Sequence, residues 1–521
     1  MKKILLVIHL LLLGFIYACN NSQEETPYII PAKSLSDVRD VEVFVFSEIY
    51  GYFPDKMPIY YFDENPLPYL DIEMYIAILD SLDSDLKLST EIIESKIIIT
   101  HEHMYNFEYE FNYQAELDAN INEIYVDGAF FSQIDFALKT TYNHITITDY
   151  TRDATEGYSI NLNDYAFTIE QTDGKIYMPF HLAVLVFNPM LLHTHYNYDT
   201  VYFGYWNDGT EFPSTYLRNF EVPIEILEST YQYMRLFFDY FYGLSQFKEI
   251  TGEMLIAPFY EDLMDPKTHY QTLRHLLTHL DDLHTSIINS NLYLDDTDYT
   301  ASTPEYINQS RRTVRLEAID NIRSYCNNRR TGWEKIDNDT AMIHIKSFTR
   351  DTGTVIKRYL DQINEDSIIT HVILDLSCSP GGSGIGWLET LSMMTNESTV
   401  LRRLNTIDGS VINLTFNTNY QINDELNWFI LVSPYSYSGA NLVASIASDN
   451  NLAKIIGMPS TGGASTISRT TTPSGQSFYF SSFNHYVGNN LQTFEFGINP
   501  DIYIEINDFS NIELILSLIK E

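Results

Sequence analysis

The sequence predicts an α/β core at the C-terminal end of the chain, a helical subdomain ahead of it, and an N-terminal α+β or mostly β accessory domain. Three observations predict this. From Thr340 onward, apolar strand-like runs alternate with helical runs across glycine-rich junctions, the pattern of an α/β core. Between Pro223 and Lys248, apolar residues recur mostly at steps of three and four, the spacing of a helix with one buried face. Residues 30 to 220 are rich in Tyr, Ile, Asn and Asp and contain several short strand-like segments.

The first element is an export signal over residues 1–18. Lys2 and Lys3 form a basic start, and Ile4 to Ile16 an apolar run broken only by His9 and Gly14. The run is too short and too close to the N-terminus for a spanning helix. It ends in Phe15-Ile16-Tyr17-Ala18-Cys19, which resembles a bacterial lipobox. Cys19 then becomes the lipidated first residue, and residues 19–33 a tether. Such an anchor holds a protein on the outer side of a membrane.

The accessory domain is expected over 34–220. Val41 to Phe46, Lys96 to Thr100 and His144 to Thr148 read as strands. Tyr165 to Gln171 and Lys175 to Met178 read as a hairpin, because Asp173-Gly174 supplies the positive φ of a tight turn. Tyr69 to Leu82 and His181 to Phe187 read as short helices. A helical subdomain and linker follow over 224–335: Pro223 suits a first helical turn, a second helix runs from His269 to Leu283, residues 291 to 306 are a polar linker, and Gln309 to Cys326 is a further helix.

The core is expected over 336–521. Ala341 to Lys346, His371 to Leu376, Trp428 to Val432 and Ile455 to Gly457 read as strands. Thr352 to Glu365, Ile385 to Met394 and Ser438 to Ser448 read as helices.

Composition narrows the function. The formal net charge is −39, and removal of the signal deletes two lysines and no acid. Such acidity argues against nucleic acid and anionic lipid surfaces as partners, so contact with a membrane is expected through the lipid anchor only. Of three cysteines, Cys326 and Cys378 remain after Cys19. They could pair, but nothing in the spacing points to it, and two free thiols are expected. His101-Glu102-His103 and His193-Thr194-His195 each offer two ligands on one strand face without a third. No metal and no cofactor is expected. The aromatic residues between 100 and 240 read as packing.

Three junctions carry chemistry. Leu374-Asp375-Leu376-Ser377-Cys378-Ser379-Pro380-Gly381-Gly382 takes a strand through two glycines into a helix, where exposed N–H groups suit an oxyanion hole. Ile430-Leu431-Val432-Ser433-Pro434-Tyr435-Ser436-Tyr437-Ser438-Gly439 ends a strand and begins a helix at Ser438. A serine there is commonly a cap, but it can be a nucleophile, with Gly439 offering its N–H to an oxyanion. The third junction is a helix ending in Asp282-Leu283-His284-Thr285, where a histidine is commonly a dipole partner.

In this order the three resemble the C-terminal-processing (tail-specific) peptidase family over residues 225 to 510. The family pattern continues into Ile456-Gly457-Met458-Pro459-Ser460-Thr461-Gly462-Gly463. Ser377 and Ser379 stand where the family has Arg and Asn, and Asn441 where it has Glu. The branch with a Ser-Lys dyad keeps its lysine where Gly463 stands, so the chain looks more like the branch of the tricorn-protease core and the retinoid-binding repeats. That resemblance implies a crotonase/ClpP-like ββα-spiral core, His284 as base for Ser438, and Glu495, before Gly497-Ile498-Asn499-Pro500-Asp501, as the group orienting the histidine. Leu283 stands where the tricorn pattern has a serine. Gly439 and Gly381 or Gly382 are the implied oxyanion donors.

The expected function is a serine-type peptidase acting on peptides or exposed protein tails, lipid-anchored on the extracytoplasmic side of a bacterial membrane. The alternative is a catalytically inactive peptide- or small-ligand-binding lipoprotein on the same fold.

Overall fold

The computed structural model describes residues 32–45, 52–81, 87–105, 109–127, 142–153, 157–187, 193–204, 222–287, 310–423 and 425–520. The signal segment, Cys19 and most of the tether lie outside the described residues, as does the linker at 291 to 306.

The region before residue 220 holds two sheets. A seven-stranded sheet runs in the order Glu170–Thr172, Lys175–Pro179, Tyr69–Asp71, Lys56–Phe62, Leu35–Val45, Thr200–Gly204, His193–Tyr196. A five-stranded antiparallel sheet is built from Leu88–Ile93, Lys96–Tyr105, Tyr109–Asp118, Glu123–Val126 and Tyr158–Asn161. The hairpin forms about Asp173 (φ 51°) and Gly174 (φ 76°). Its first arm, Glu170–Thr172, is shorter than the expected Tyr165 to Gln171, and Leu162–Tyr165 winds into a 3-10 turn capped by Asn161. Tyr69–Asp71 is likewise a strand, and the helix starts at Ile72. His101 and His195 are buried within strands.

The helix from Ile224 ends at Leu236 and passes into a π turn, Phe237–Phe241. Its aromatic face packs on Phe478 and Phe480, with Phe237 edge-on to both rings. The next predicted helix spans only His269–His279, because Leu280 turns to extended backbone. Asp282 to Thr285 is therefore a loop rather than a helix end.

The core sheet has six strands in the order Gly332–Asp337, Thr340–His344, His371–Asp375, Asn427–Val432, Ala453–Gly457, Ile502–Tyr503. The last five run parallel, so their carboxyl ends lie on one edge, where α/β proteins build sites. Helices Thr352–Asn364, Gly384–Ser392 and Gly439–Asp449 cross over between them. Beside this layer stands a second six-stranded sheet: Thr399–Asn405, Val411–Thr418, Ser465–Thr471, Ser477–Val487 and Ser286–Ile287, which sequence reading left unassigned, and Ile145–Arg152, which it read as the strand His144 to Thr148. The last of these comes from the accessory region and pairs antiparallel with Val411–Thr418.

Cys326 and Cys378 form a disulfide, which corrects the expectation of two free thiols. Spacing along the chain carries no sign of it, because the contact depends on how the helix Ser310–Asn328 docks against the Cys378 loop. Among the described residues, no helix is long and apolar enough to cross a membrane.

Candidate active site

The strand Asn427–Val432 is buried between two parallel neighbours and runs into a tight turn. In that turn the Ser436 N–H donates to Ser433 O at 2.8 Å, and the Ser433 N–H to Ser436 Oγ at 3.0 Å. Ser438 follows at φ 53°, ψ −123°, a conformation that costs a non-glycine residue of order 1–3 kcal/mol. It is held there by its own N–H to Gly462 O (2.8 Å) and by Leu442 N–H to its carbonyl (2.8 Å). Its hydroxyl makes no capping bond to the helix Gly439–Asp449. The residue is half-buried, and its hydroxyl is not consumed by a cap. The helix behind it is built of small and apolar residues, buried from Gly439 to Ala447.

The two glycines of the first junction lie against this serine. A Cβ on residue 381 would stand 2.6 Å from Gly439 N and 2.9 Å from Ser438 Cβ, and one on residue 382 would stand 2.2 Å from Phe348 O. Both residues have positive φ, 96° and 134°. A Cβ on Gly439 would lie 3.5 Å from Gly382 N. Neither Gly439 N–H nor Gly382 N–H enters a backbone hydrogen bond among the described residues, whereas Gly381 N–H reaches Ser379 Oγ at 3.5 Å. Two adjacent free donors at a helix N-terminus form a cradle for an anion.

Ser377 and Ser379 tie the two loops together. Ser433 Oγ donates to Ser377 O (2.6 Å), Ser436 Oγ to Leu376 O (2.8 Å) and Tyr437 N–H to Ser379 O (3.3 Å). Asp375 anchors the first loop, accepting from Ser377 N–H and Oγ, from Tyr325 OH and from His344 Nδ1. Asn441 binds the Glu495 segment through Phe494 O (3.0 Å) and accepts from Ser460 Oγ (2.7 Å).

His284 is buried, 6% exposed, with its ring centroid 4.8 Å from that of Tyr437, the residue before Ser438. Its Nδ1 lies 3.2 Å from Ser481 Oγ, and its Nε2 has no partner among the described residues. Burial pushes its pKa down to about 4, against the pull of Asp282 and with the help of Arg311 and Arg315. The ring is therefore neutral at ordinary pH. Asp282, 0% exposed, receives His284 N–H, Thr285 Oγ and Ser481 Oγ at 2.9, 2.7 and 3.0 Å. Burial pushes its carboxyl up, but the imidazolium that His284 becomes at acid pH, the Thr285 hydroxyl, the His284 N–H and Arg311 outweigh it and hold it low.

Glu495 is fully buried. Its Oε1 pairs with Arg311 at 2.8 Å and its Oε2 accepts from Ala464 N–H at 2.7 Å. Burial raises its pKa, opposed by Arg311. The structure thus brings Ser438, Gly439, Gly381 and Gly382 into direct contact and places His284 against the neighbouring Tyr437. No hydrogen bond among the described residues joins Ser438 Oγ to His284, or Glu495 to His284. Sequence reasoning missed Ser481 and Arg311. Neither sits in a glycine-rich junction or beside a catalytic-type residue, so no local signal marks them.

Residues 339–504 match the model of peptidase family S41. Among solved structures the chain is similar to the photosystem II D1 C-terminal processing protease (14% identity, 32% of this chain and 42% of that one, TM-score 0.29). It is also similar to a lipoprotein from Streptococcus agalactiae (15%, 58% and 99%, TM-score 0.35) and to mature CPAF (11%, 57% and 96%, TM-score 0.41). The chain thus spans less than half the length of the D1 processing protease. No curated protein matches it.

Proposed function

We propose that this chain, which carries a serine-type peptidase domain of peptidase family S41 in residues 339–504, hydrolyses peptide bonds through an acyl-enzyme on Ser438. The observation that carries the reading is the strained Ser438 at the head of a buried helix, its hydroxyl uncapped, beside the free N–H groups of Gly439 and Gly382.

In the proposed reaction Ser438 Oγ attacks the scissile carbonyl carbon, and His284 Nε2 takes the hydroxyl proton. The carbonyl oxygen gains the negative charge and lies against the two glycine amides. Each such donor is typically worth about 10²–10³ in rate. Collapse of the intermediate breaks the C–N bond, and His284 returns the proton to the leaving amine. Water then attacks the ester by the same route in reverse. Glu495 stands behind the site as a carboxylate held by Arg311. The substrates proposed are peptides or exposed protein tails, and the location is extracytoplasmic, through a lipid on Cys19.

A fluorophosphonate probe tests the nucleophile: the wild-type chain becomes labelled and Ser438→Ala does not. Palmitate incorporation lost in Cys19→Ala tests the anchor. The absence of a Ser438–His284 hydrogen bond favours a second reading, an inactive peptide-binding lipoprotein. That reading stands if the intact protein retains peptides but neither labels nor cleaves.

A further inference from the structure

We infer that Ser481, backed by Asp282, is the residue that fixes the tautomer and orientation of His284, a positioning role that the family resemblance implies for Glu495. The inference rests on the proposed Ser438–His284 chemistry.

Proton counting carries it. Asp282 accepts from four donors: His284 N–H and Ser481 Oγ at Oδ1, and Thr285 Oγ and Ser481 N–H at Oδ2. A carboxyl surrounded only by donors is an ionised acceptor. Ser481 has one hydroxyl proton, and it goes to Asp282. Towards His284 Nδ1, 3.2 Å away, Ser481 Oγ can then only accept. Nδ1 must carry the hydrogen, and Nε2 is left with the lone pair a general base needs. Nε2 is also the ring nitrogen that no described residue occupies.

Backbone pairing builds the contact. Ser286 faces Tyr479 and Ile287 faces Phe478 in an antiparallel register. Continuing that register by two residues sets His284 opposite Ser481, where facing side chains lie close enough to touch. Glu495 is committed elsewhere: one oxygen to Arg311, the other to the Ala464 amide. Its backbone carbonyl is also taken, by Gly463 N–H and Arg311.

The test is steady-state cleavage of a peptide substrate by the full chain, with thermal midpoints measured alongside. Ser481→Ala is expected to lower kcat about 10²-fold with KM within about twofold, since orientation of a general base acts on the chemical step. Ser481→Thr, which keeps the hydroxyl, is expected to recover at least about tenfold of that loss. Should Ser481→Ala fail to fold, Asp282→Asn serves instead. Its amide can donate to Ser481, turn the hydroxyl towards Nδ1 and favour the wrong tautomer, so kcat falls at a preserved KM. Full kcat in folded Ser481→Ala or Asp282→Asn, with Ser438→Ala and His284→Ala inactive, overturns the inference and leaves the serine–histidine reading intact. Activity that survives in His284→Ala sinks that parent reading and takes this one with it.

Discussion

Arg311 Nη1 donates to Glu495 Oε1 across 2.8 Å, and the same guanidinium meets Asp281 Oδ2 at 3.1 Å. The arginine sits at the start of the helix Ser310–Asn328, so it fastens that helix to both the His284 loop and the Glu495 loop. Removing one partner of a buried pair leaves an uncompensated charge, at a cost of about 3–5 kcal/mol. Arg311→Met should destabilise the chain by that order in denaturant unfolding. The double variant Arg311→Met/Glu495→Gln should recover a large part of it.

Gly381 has no room for a side chain. A methyl group there would press on Gly439 N and Ser438 Cβ, and the φ of 96° is strained for alanine. Gly381→Ala should shift the backbone at Gly439 and Tyr437 and lose about 10²–10³ in kcat through a displaced anion cradle, with thermal midpoints measured alongside to separate this from unfolding. Equal activity in Gly381→Ala would show that the reacting oxygen binds elsewhere.

The acid limb of activity should lie low. His284, the proposed base, can take a proton only when neutral, and burial keeps it neutral down to about pH 4. A plot of log kcat/KM against pH should stay level from about pH 7 to about pH 5 and fall below that, unlike a site whose histidine titrates at its ordinary value.

Stability should fall over a related range, for a separate reason. Burial depresses His269 to about 4, and His181, His195 and His485 to about 3. The unfolded chain takes up protons near the ordinary value of 6.5, before these folded sites do. The slope of unfolding free energy with pH is therefore positive in this window. The stability is fully present above about 6.5 and is lost progressively as pH falls towards 4 and 3. Thermal midpoints across that range check it.

The Cys326–Cys378 bond closes a loop with a sequence separation of 52 residues. Chain-entropy reasoning assigns such a loop about 4 kcal/mol. Cys326→Ser/Cys378→Ser should lower unfolding free energy by that order. The bond also links the helix carrying Arg311 to the loop that leads into Gly381 and Gly382, so activity should fall in the reduced protein before the fold is lost. Equal kcat in oxidised and reduced protein would sever that link.

Four of the six core strands, the crossover helices, the glycine pair and the serine before Gly439 were legible in the sequence, whereas the edge strands Gly332–Asp337 and Ile502–Tyr503 were not. Each is written locally: a buried parallel strand is an unbroken apolar run, a sharp turn needs glycine, and a helix starts where small residues follow a turn. The second sheet was not legible apart from the strand at His144 to Thr148. Ser465–Thr471 and Ser477–Val487 are rich in Ser and Thr, and their buried hydroxyls read as a polar surface until their partners are known. What surrounds His284 was decided only by tertiary structure. Ser481 lies 197 positions away, and strand pattern determines which face a residue points to but not which strand comes to lie beside it. The same holds for Ile145–Arg152 against Val411–Thr418, for Arg311 against Glu495, and for the disulfide. Each depends on how separately readable elements dock, which burial of the whole core selects and no short stretch of chain encodes.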